Sequence, residues 1–392
     1  MVRVAKTGNE AMAEAMRQIN PDVVPVYPIT PATEIAQIFA GFVADGKVDS
    51  EMVRVESEHS AISAAFGASA AGARAMTATS SQGLALMWEI LPICSAVRLP
   101  IIMAEVNRAI SGPINIHCDH SDTMGARDVG WIQIFSENAQ EAYDNMLQAV
   151  KISEHDDVRL PSMVTTDGFI ISHAMEAVDM LDDKDAKEYV GNFVADHPLL
   201  DTTKPGTIGA IDLQNYYFEH KYPVAMAMKA AINVIVETGK SYGEKTGRHY
   251  GLFEEVAMDD AELVLVILGS TAGTNRTAIE QLRAEGIKAG MIKLRVFRPF
   301  PFEELAKALG NAKVVGVLDR SDSYNAFGGP LFTEICAALF NSDKRPKVKN
   351  YIYGLGGRDI NVKDLKDIYM ELNSVKETGT IKELVTYKGV RI

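Results

Sequence analysis

The chain predicts an α/β protein of two units, each a parallel sheet covered by helices. Three observations carry this prediction. Strand-like apolar runs alternate with helix-period segments through the first two-thirds, the order expected of a parallel sheet with helices on both faces. That alternation breaks between Leu181 and Glu255. It starts again at Ala261. Domains are therefore expected at residues 1–240, including an extended connection, and 241–392.

In chain order, Asp22 to Tyr27 reads as a strand that ends in the turn Pro28-Ile29-Thr30-Pro31. A helix pattern follows from Ala32 to about Ala44. Thr30 is a good helix N-cap residue, and Pro31 suits the first helical position. Small apolar residues from Ala61 to Ala73 read as a helix with no polar face, packed on all sides. Ala75 to Thr79 is a short strand, Gly83 to Ala96 a helix, and Pro100 to Val106 an apolar strand. Glu137 to Glu154 is a helix and Ser162 to Thr166 a strand. Ligands collect at the carboxyl ends of such strands. Thr30, Ser80-Ser81-Gln82 and Asn107-Arg108 each follow a strand, so they are expected at one rim.

The run Asp182-Asp183-Lys184-Asp185 reads as solvated charge, and Thr202 to Gly206 as loop. Two helix-like pieces lie around Pro223 to Gly239. In the second unit, Leu263 to Leu268, Ala289 to Val296 and Ala312 to Leu318 are strands, and Thr274 to Glu285 is a helix.

Composition narrows the function. The 392 residues are 47% hydrophobic and 23% charged, enough apolar material for real cores. The formal net charge of −13 argues against nucleic acid as the main partner. The N-terminus carries no signal-peptide pattern, and no apolar run is long enough to span a bilayer. A cytoplasmic location is expected. The three cysteines, Cys94, Cys118 and Cys336, lie far apart. They cannot supply the four thiolates of an iron–sulfur cluster or of a structural zinc site.

The most informative stretch is Glu56-Ser57-Glu58-His59-Ser60. It puts the Glu58 carboxylate at the mouth of the apolar helix. Ser57 as N-cap and Glu58 as a first-turn acid would explain it structurally. A carboxylate there is also costly without a partner. One such partner is the aminopyrimidine ring of thiamine diphosphate, whose N1′ a shared-proton Glu can hold in its reactive tautomer. Arg108, at the rim, is a candidate for a substrate carboxylate because its fork matches that geometry. His117-Cys118-Asp119-His120-Ser121-Asp122 superficially resembles a metal site, but adjacent residues rarely wrap one ion. A hydrogen-bonded lid is expected there. Asp167-Gly168 lacks the preceding glycine of the Gly-Asp-Gly diphosphate motif, so the magnesium-diphosphate site is expected on another chain.

Seven motifs together resemble the alpha subunits of the pyruvate:ferredoxin oxidoreductase family, a branch of the 2-oxoacid:ferredoxin oxidoreductases. They are Tyr27-Pro28-Ile29-Thr30-Pro31, the run Val55 to Ala61, the run Thr77 to Leu84, Val106 to Ala109, Asp128 to Trp131, Arg298 to Pro301, and Tyr353 to Asp359. The resemblance implies a pyrimidine-binding thiamine diphosphate domain followed by a transketolase C-terminal-like domain. It implies reversible oxidative decarboxylation of pyruvate with coenzyme A, giving acetyl-CoA and carbon dioxide, with electrons passed to ferredoxin. Beta, gamma and delta partner subunits would carry Mg2+ and the [4Fe–4S] clusters, and none would lie in this chain. Glu58 matches the glutamate that activates the cofactor, with Pro28 and Thr30 against the cofactor. Thr30 and Arg108 match the residues that hold the substrate. Branched-chain or aryl 2-oxoacids, a lipoyl-dependent dehydrogenase component and an inert scaffold remain the alternatives.

Overall fold

The computed structural model describes residues 1–391. In chain order the elements are β1 (Val2–Lys6), α1 (Gly8–Ile19), β2 (Val23–Val26), α2 (Thr33–Ala44), β3 (Glu51–Arg54), α3 (Glu58–Ala71), β4 (Met76–Thr79), α4 (Ser81–Met87), α5 (Leu91–Ala96), β5 (Ile102–Asn107), α6 (Ser121–Gly125), β6 (Ile132–Phe135), α7 (Ala139–Ser153) and β7 (Ser162–Asp167). There follow β8 (Glu176–Met180), α8 (Asp183–Val190), α9 (Tyr217–Thr246), β9 (Phe253–Val256), β10 (Leu263–Leu268), α10 (Thr271–Ala284), β11 (Ala289–Leu294), β12 (Val296–Arg298), α11 (Phe302–Leu309), β13 (Val314–Asp319), α12 (Pro330–Phe340), β14 (Lys347–Tyr353), α13 (Val362–Thr378) and β15 (Val385–Lys388).

The first sheet has the order β12-β6-β7-β5-β4. A single parallel bridge, Val23 to Ala75, continues it into the parallel pair β2-β3. Strand β5 is buried along its whole length, as a central strand with both faces covered must be. One face packs on α1 and α7 through Ile102, Ala104 and Val106. The other packs under α3, α4 and α5 through Met103 and Met163. The second sheet has the order β15-β14-β13-β10-β11-β9, parallel except for β9.

The main elements stand where the sequence puts them, with six differences. Thr30 does not cap α2. The chain makes a further turn over Pro31 and Ala32, and the helix begins at Thr33 with Ala32 at its cap and no side-chain bond. Helix α3 is buried along one stripe only, through Glu58, Ala61, Ile62, Ala65 and Ser69, while Gly67 is exposed. Alanine is apolar enough to line a core yet tolerates partial exposure, so uniform smallness did not mean uniform burial. The stretch Gly83 to Ala96 breaks into α4 and α5, with Pro92 at the start of the second. The charge run at Asp182 starts helix α8, where Asp183 accepts from Arg17 Nη1 and Nη2. Finally, α9 is one helix of 30 residues that carries Pro223 inside it. The strand expected to end at Val296 also divides, and β12 leaves the second sheet to pair antiparallel with β6 in the first.

Candidate functional site

Four strand ends, those of β2, β3, β4 and β5, bring Thr30, Glu58, Ser80-Ser81 and Asn107-Arg108 to one rim. Ser57 caps α3 by accepting from Ser60 N–H at 3.2 Å, which leaves Glu58 as the first helical residue. Glu58 is 7% exposed, yet among the described residues none hydrogen-bonds its carboxylate. Its side chain lies against α4 at Gly83. A Cβ there would fall 2.4 Å from Thr79 Oγ1 and 2.8 Å from Glu58 Cγ, so glycine is needed for the approach. Thr79 Oγ1 is itself buried without a partner.

Arg108 is buried and oriented by its own chain. Its Nε donates to the Asn115 carbonyl at 2.9 Å and its Nη1 to the Thr30 carbonyl at 3.0 Å. The second terminal nitrogen, Nη2, has no partner within the chain among the described residues. Thr30 and Arg108 are thus neighbours, with the Thr30 side chain exposed. Pro28 is exposed at the same strand end.

Asp122, read from the sequence only as part of a lid, ties two of these turns together. Its Oδ2 accepts Ser81 N–H at 3.1 Å and Arg108 N–H at 2.8 Å. Its Oδ1 accepts Asn107 Nδ2 at 2.9 Å and Thr123 N–H at 2.8 Å. Ser81 holds a positive φ of 49°, a strained value for a non-glycine residue. The sequence reading missed Glu105 altogether. It sits inside β5, fully buried, and among the described residues neither oxygen receives a hydrogen bond. Burial, then the nearby charge of Asp122, pushes its carboxyl well above the usual range. The signal was present in the sequence as one acid inside an otherwise apolar strand.

The 109–122 loop is a seam between the two sheets rather than a lid. His120 N–H donates to the Arg320 carbonyl at 2.7 Å, and Asn115 Nδ2 to the Gly356 carbonyl at 3.0 Å. A Cβ on Gly356 would strike Asn115 Nδ2, and one on Gly357 would strike His117. Cys118, His120 and Asp167 converge in the seam with ligand atoms within 4.8 Å of one another. The position is already neutralised, because Arg320 Nη1 lies 3.0 Å from Asp167 Oδ2 and 3.7 Å from Cys118 Sγ. His120 Nε2 pairs with Asp167 Oδ1 at 2.7 Å, and Ser270 donates to Oδ2 at 2.5 Å. Burial alone would raise the Asp167 pKa, but Arg320 and His120 hold it well below the carboxylate range. Asp167 is a structural anion here. A cleft of about 870 Å³ opens beside the seam, lined by Trp88, Asp122 and Tyr324 among others. Thr30, Glu58 and Arg108 do not line it.

The rim fits an aminopyrimidine. Such a ring needs a carboxyl group facing a ring nitrogen, close backbone approach and a nearby polar atom. Glu58, Gly83 and the unpartnered Thr79 hydroxyl offer these in turn.

Residues 14–240 match the family described as pyruvate flavodoxin/ferredoxin oxidoreductase, thiamine diphosphate-binding. Residues 261–365 match pyruvate:ferredoxin oxidoreductase core domain II. The chain is 54% identical to pyruvate synthase subunit PorA of Thermotoga maritima, over 94% of this chain and 93% of that one. It is 44% identical to the PorA subunit of Methanothermobacter thermautotrophicus, over 100% and 99%. It is also 42% identical to ketoisovalerate oxidoreductase subunit VorA of Pyrococcus abyssi, over 98% and 97%. Among solved structures, 2-oxoglutarate:ferredoxin oxidoreductase from Magnetococcus marinus has a TM-score of 0.73 at 20% identity. That match covers 96% of this chain, which spans only 65% of the solved one. A split-gene transketolase in an inactive β4 tetramer matches at TM-score 0.57 and 13% identity, over 94% of this chain and 99% of that one. Both structural matches concern the fold. No helix among the described residues is long and apolar enough to cross a membrane.

Proposed function

The chain belongs to the pyruvate:ferredoxin oxidoreductase family, and from that premise we propose that it is the alpha subunit of a pyruvate synthase. Pyruvate, coenzyme A and oxidised ferredoxin give acetyl-CoA, carbon dioxide and reduced ferredoxin, reversibly. The observation that carries this reading is Glu58, a largely buried residue whose carboxylate finds no partner among the described residues, set against Gly83 at the rim. Thiamine diphosphate, when bound, supplies the carbon nucleophile and accepts the electron pair left behind by carbon dioxide. Glu58 would hold its pyrimidine N1′ and share a proton with it, a role a carboxyl group in a dry pocket performs well. Pro28 and Thr30 would line the ring. Arg108, with two nitrogens anchored to carbonyl groups, would present its free Nη2 to the carboxylate of the 2-oxoacid, and the Thr30 hydroxyl would meet the substrate beside it.

The domains are taken as residues 1–240 and 241–392. The three free cysteines and the absent Gly-Asp-Gly motif support beta, gamma and delta partners that carry Mg2+, the diphosphate site and the [4Fe–4S] clusters. Free thiols also suit the cytoplasm. A second reading, a branched-chain 2-oxoacid as substrate, is favoured by the VorA relatives, since their 42% identity equals that of the Pyrococcus PorA subunits. The test is a substrate panel on the purified native complex with a one-electron viologen acceptor. Pyruvate is expected to have the highest kcat/KM, ahead of 2-ketoisovalerate and 2-oxoglutarate. A higher value for 2-ketoisovalerate would move the assignment to the second reading. Failure to reduce viologen with any 2-oxoacid would overturn both.

A further inference from the structure

The first sheet carries an unusual row of side chains beneath the rim. Register pairs Thr79 of β4 with Glu105 of β5, and Glu105 with Thr165 of β7. Register partners in a parallel sheet project from the same face, about 4.8 Å apart. The three side chains therefore stand side by side under α4 and α6. Their side-chain oxygens are buried and receive no hydrogen bond among the described residues: Thr79 Oγ1, both Glu105 carboxyl oxygens and Thr165 Oγ1. On the same face, Asn107 Oδ1 is also unpartnered. Asn107, two residues further along the same face of β5, donates Nδ2 to Asp122 Oδ1 at 2.9 Å, which sets the Asp122 carboxylate beside Glu105.

The two carboxyl groups are treated very differently by the fold. Asp122 receives four N–H donors, from Ser81, Arg108, Asn107 and Thr123. That set stabilises an anion and leaves little capacity for a proton of its own. Glu105 has no N–H donor within hydrogen-bonding geometry among the described residues. Two adjacent carboxyl groups in a dry site cannot both ionise, and the one without donors keeps the proton.

We infer that Glu105 is a neutral carboxylic acid that donates its proton to Asp122, and that this pair is the positioning element of the substrate site. Asp122 holds the backbone N–H of Arg108 and of Ser81. Glu105 is thereby the keystone under the turn that aims Arg108 and under the strained start of α4, whose Gly83 touches Glu58. Thr79 joins the same row to Glu58 through the Gly83 contact. Glu105 touches no reactant in this arrangement. It acts through Asp122 and Arg108, so the inference rests on the substrate role proposed for Arg108.

The test has a spectroscopic arm on the full chain and a kinetic arm on the complex. Infrared spectra of the full chain at neutral pH should contain a protonated-carboxyl carbonyl band. Glu105→Gln should remove that band, and Asp122→Asn should shift it, because the acceptor of the proton has changed. In the complex, Gln keeps neutrality and an N–H donor, so Glu105→Gln should stay within about 3-fold of the native kcat/KM. Glu105→Leu keeps bulk but loses the donor, and should lower kcat/KM about 10- to 100-fold, mostly as a higher KM for the 2-oxoacid. A band unchanged in both spectroscopic variants overturns the proton assignment. Glu105→Gln as damaging as Glu105→Leu, or Glu105→Leu without effect on KM, overturns the positioning role. The infrared arm is independent of the substrate, so a failed activity assignment would not be mistaken for a failed proton assignment.

Discussion

Two buried clusters of charge lie at neighbouring strand ends of the first sheet, and they are built on opposite terms. At the end of β7, Asp167 is bonded by His120, Arg320 and Ser270, and its pKa is driven down. In and beyond strands β3 to β5, and among the described residues, Glu58 has no hydrogen-bonding partner, Glu105 no donor and Thr79 Oγ1 no partner. The residues of both clusters are largely buried. The difference is whether the chain satisfies its own polar groups. Asp167 closes a seam between two sheets and needs nothing else. The rim leaves bonding capacity unused, which costs stability unless a ligand completes it. A metal-like trio, Cys118-His120-Asp167, belongs to the satisfied cluster, and the functional candidates belong to the unsatisfied one.

The largest expected effect lies in the satisfied cluster. Asp167→Ala leaves the Arg320 guanidinium buried without its anion, and breaking a buried pair from one side costs about 3–5 kcal/mol. Chemical denaturation of the purified chain checks this. A loss below about 1 kcal/mol would mean that the seam is not held there.

At the rim the effect should appear in catalysis instead. Arg108→Ala should lower kcat/KM for pyruvate about 30- to 1,000-fold, equivalent to about 2–4 kcal/mol. Arg108→Lys should recover only part, because an ammonium lacks the planar fork. Steady-state kinetics with matched melting curves separate this from misfolding. Equal loss of stability in both variants would place Arg108 with the satisfied cluster.

The two clusters should also respond to pH with opposite signs. The Asp167 pKa is lowered in the folded state, so its stabilisation is present above the ordinary carboxylate value of about 4 and is lost as pH falls below it. The Glu105 pKa is raised, so folding loses stability as pH rises from about 4 towards the folded-state value. Melting temperatures across that range should show Asp167→Asn closing the gap to native at low pH. Glu105→Gln should gain on native as pH rises. Parallel curves for both variants would contradict the comparison.

The smallest effect belongs to Thr30. It does not cap α2, so Thr30→Val should leave the melting temperature nearly unchanged. Loss of one neutral hydrogen bond to substrate should cost about 1–2 kcal/mol in kcat/KM. A stability loss without a kinetic one would make Thr30 a turn residue only.

Much of this was legible in the sequence. Glu58 stood out because an acid stands immediately before a run of small apolar residues, although α3 proved to be buried along one stripe only. The strand ends that carry Thr30, Ser80 and Arg108 were readable because apolar runs stop there abruptly. Other features were not. Glu105 was hidden because a single acid in an apolar strand looks like an interruption, and only the register sets it between two threonines. Strand β12 was read as the tail of β11, since pairing with β6 is a long-range choice that local pattern does not encode. The seam was invisible for the same reason, as His120, Asp167 and Arg320 are brought together only by the packing of the two sheets.

The central claim is that Glu58 activates the cofactor, and exchange of the thiamine C2 proton tests it directly. Proton–deuterium exchange in the assembled complex can be followed by quenched-flow and NMR without any 2-oxoacid. Glu58→Gln preserves shape but cannot share a proton with the pyrimidine, so exchange should slow by at least about 100-fold while the cofactor stays bound. Exchange at the native rate in a cofactor-loaded Glu58→Gln complex would contradict the account and leave Glu58 as a helix-start carboxylate.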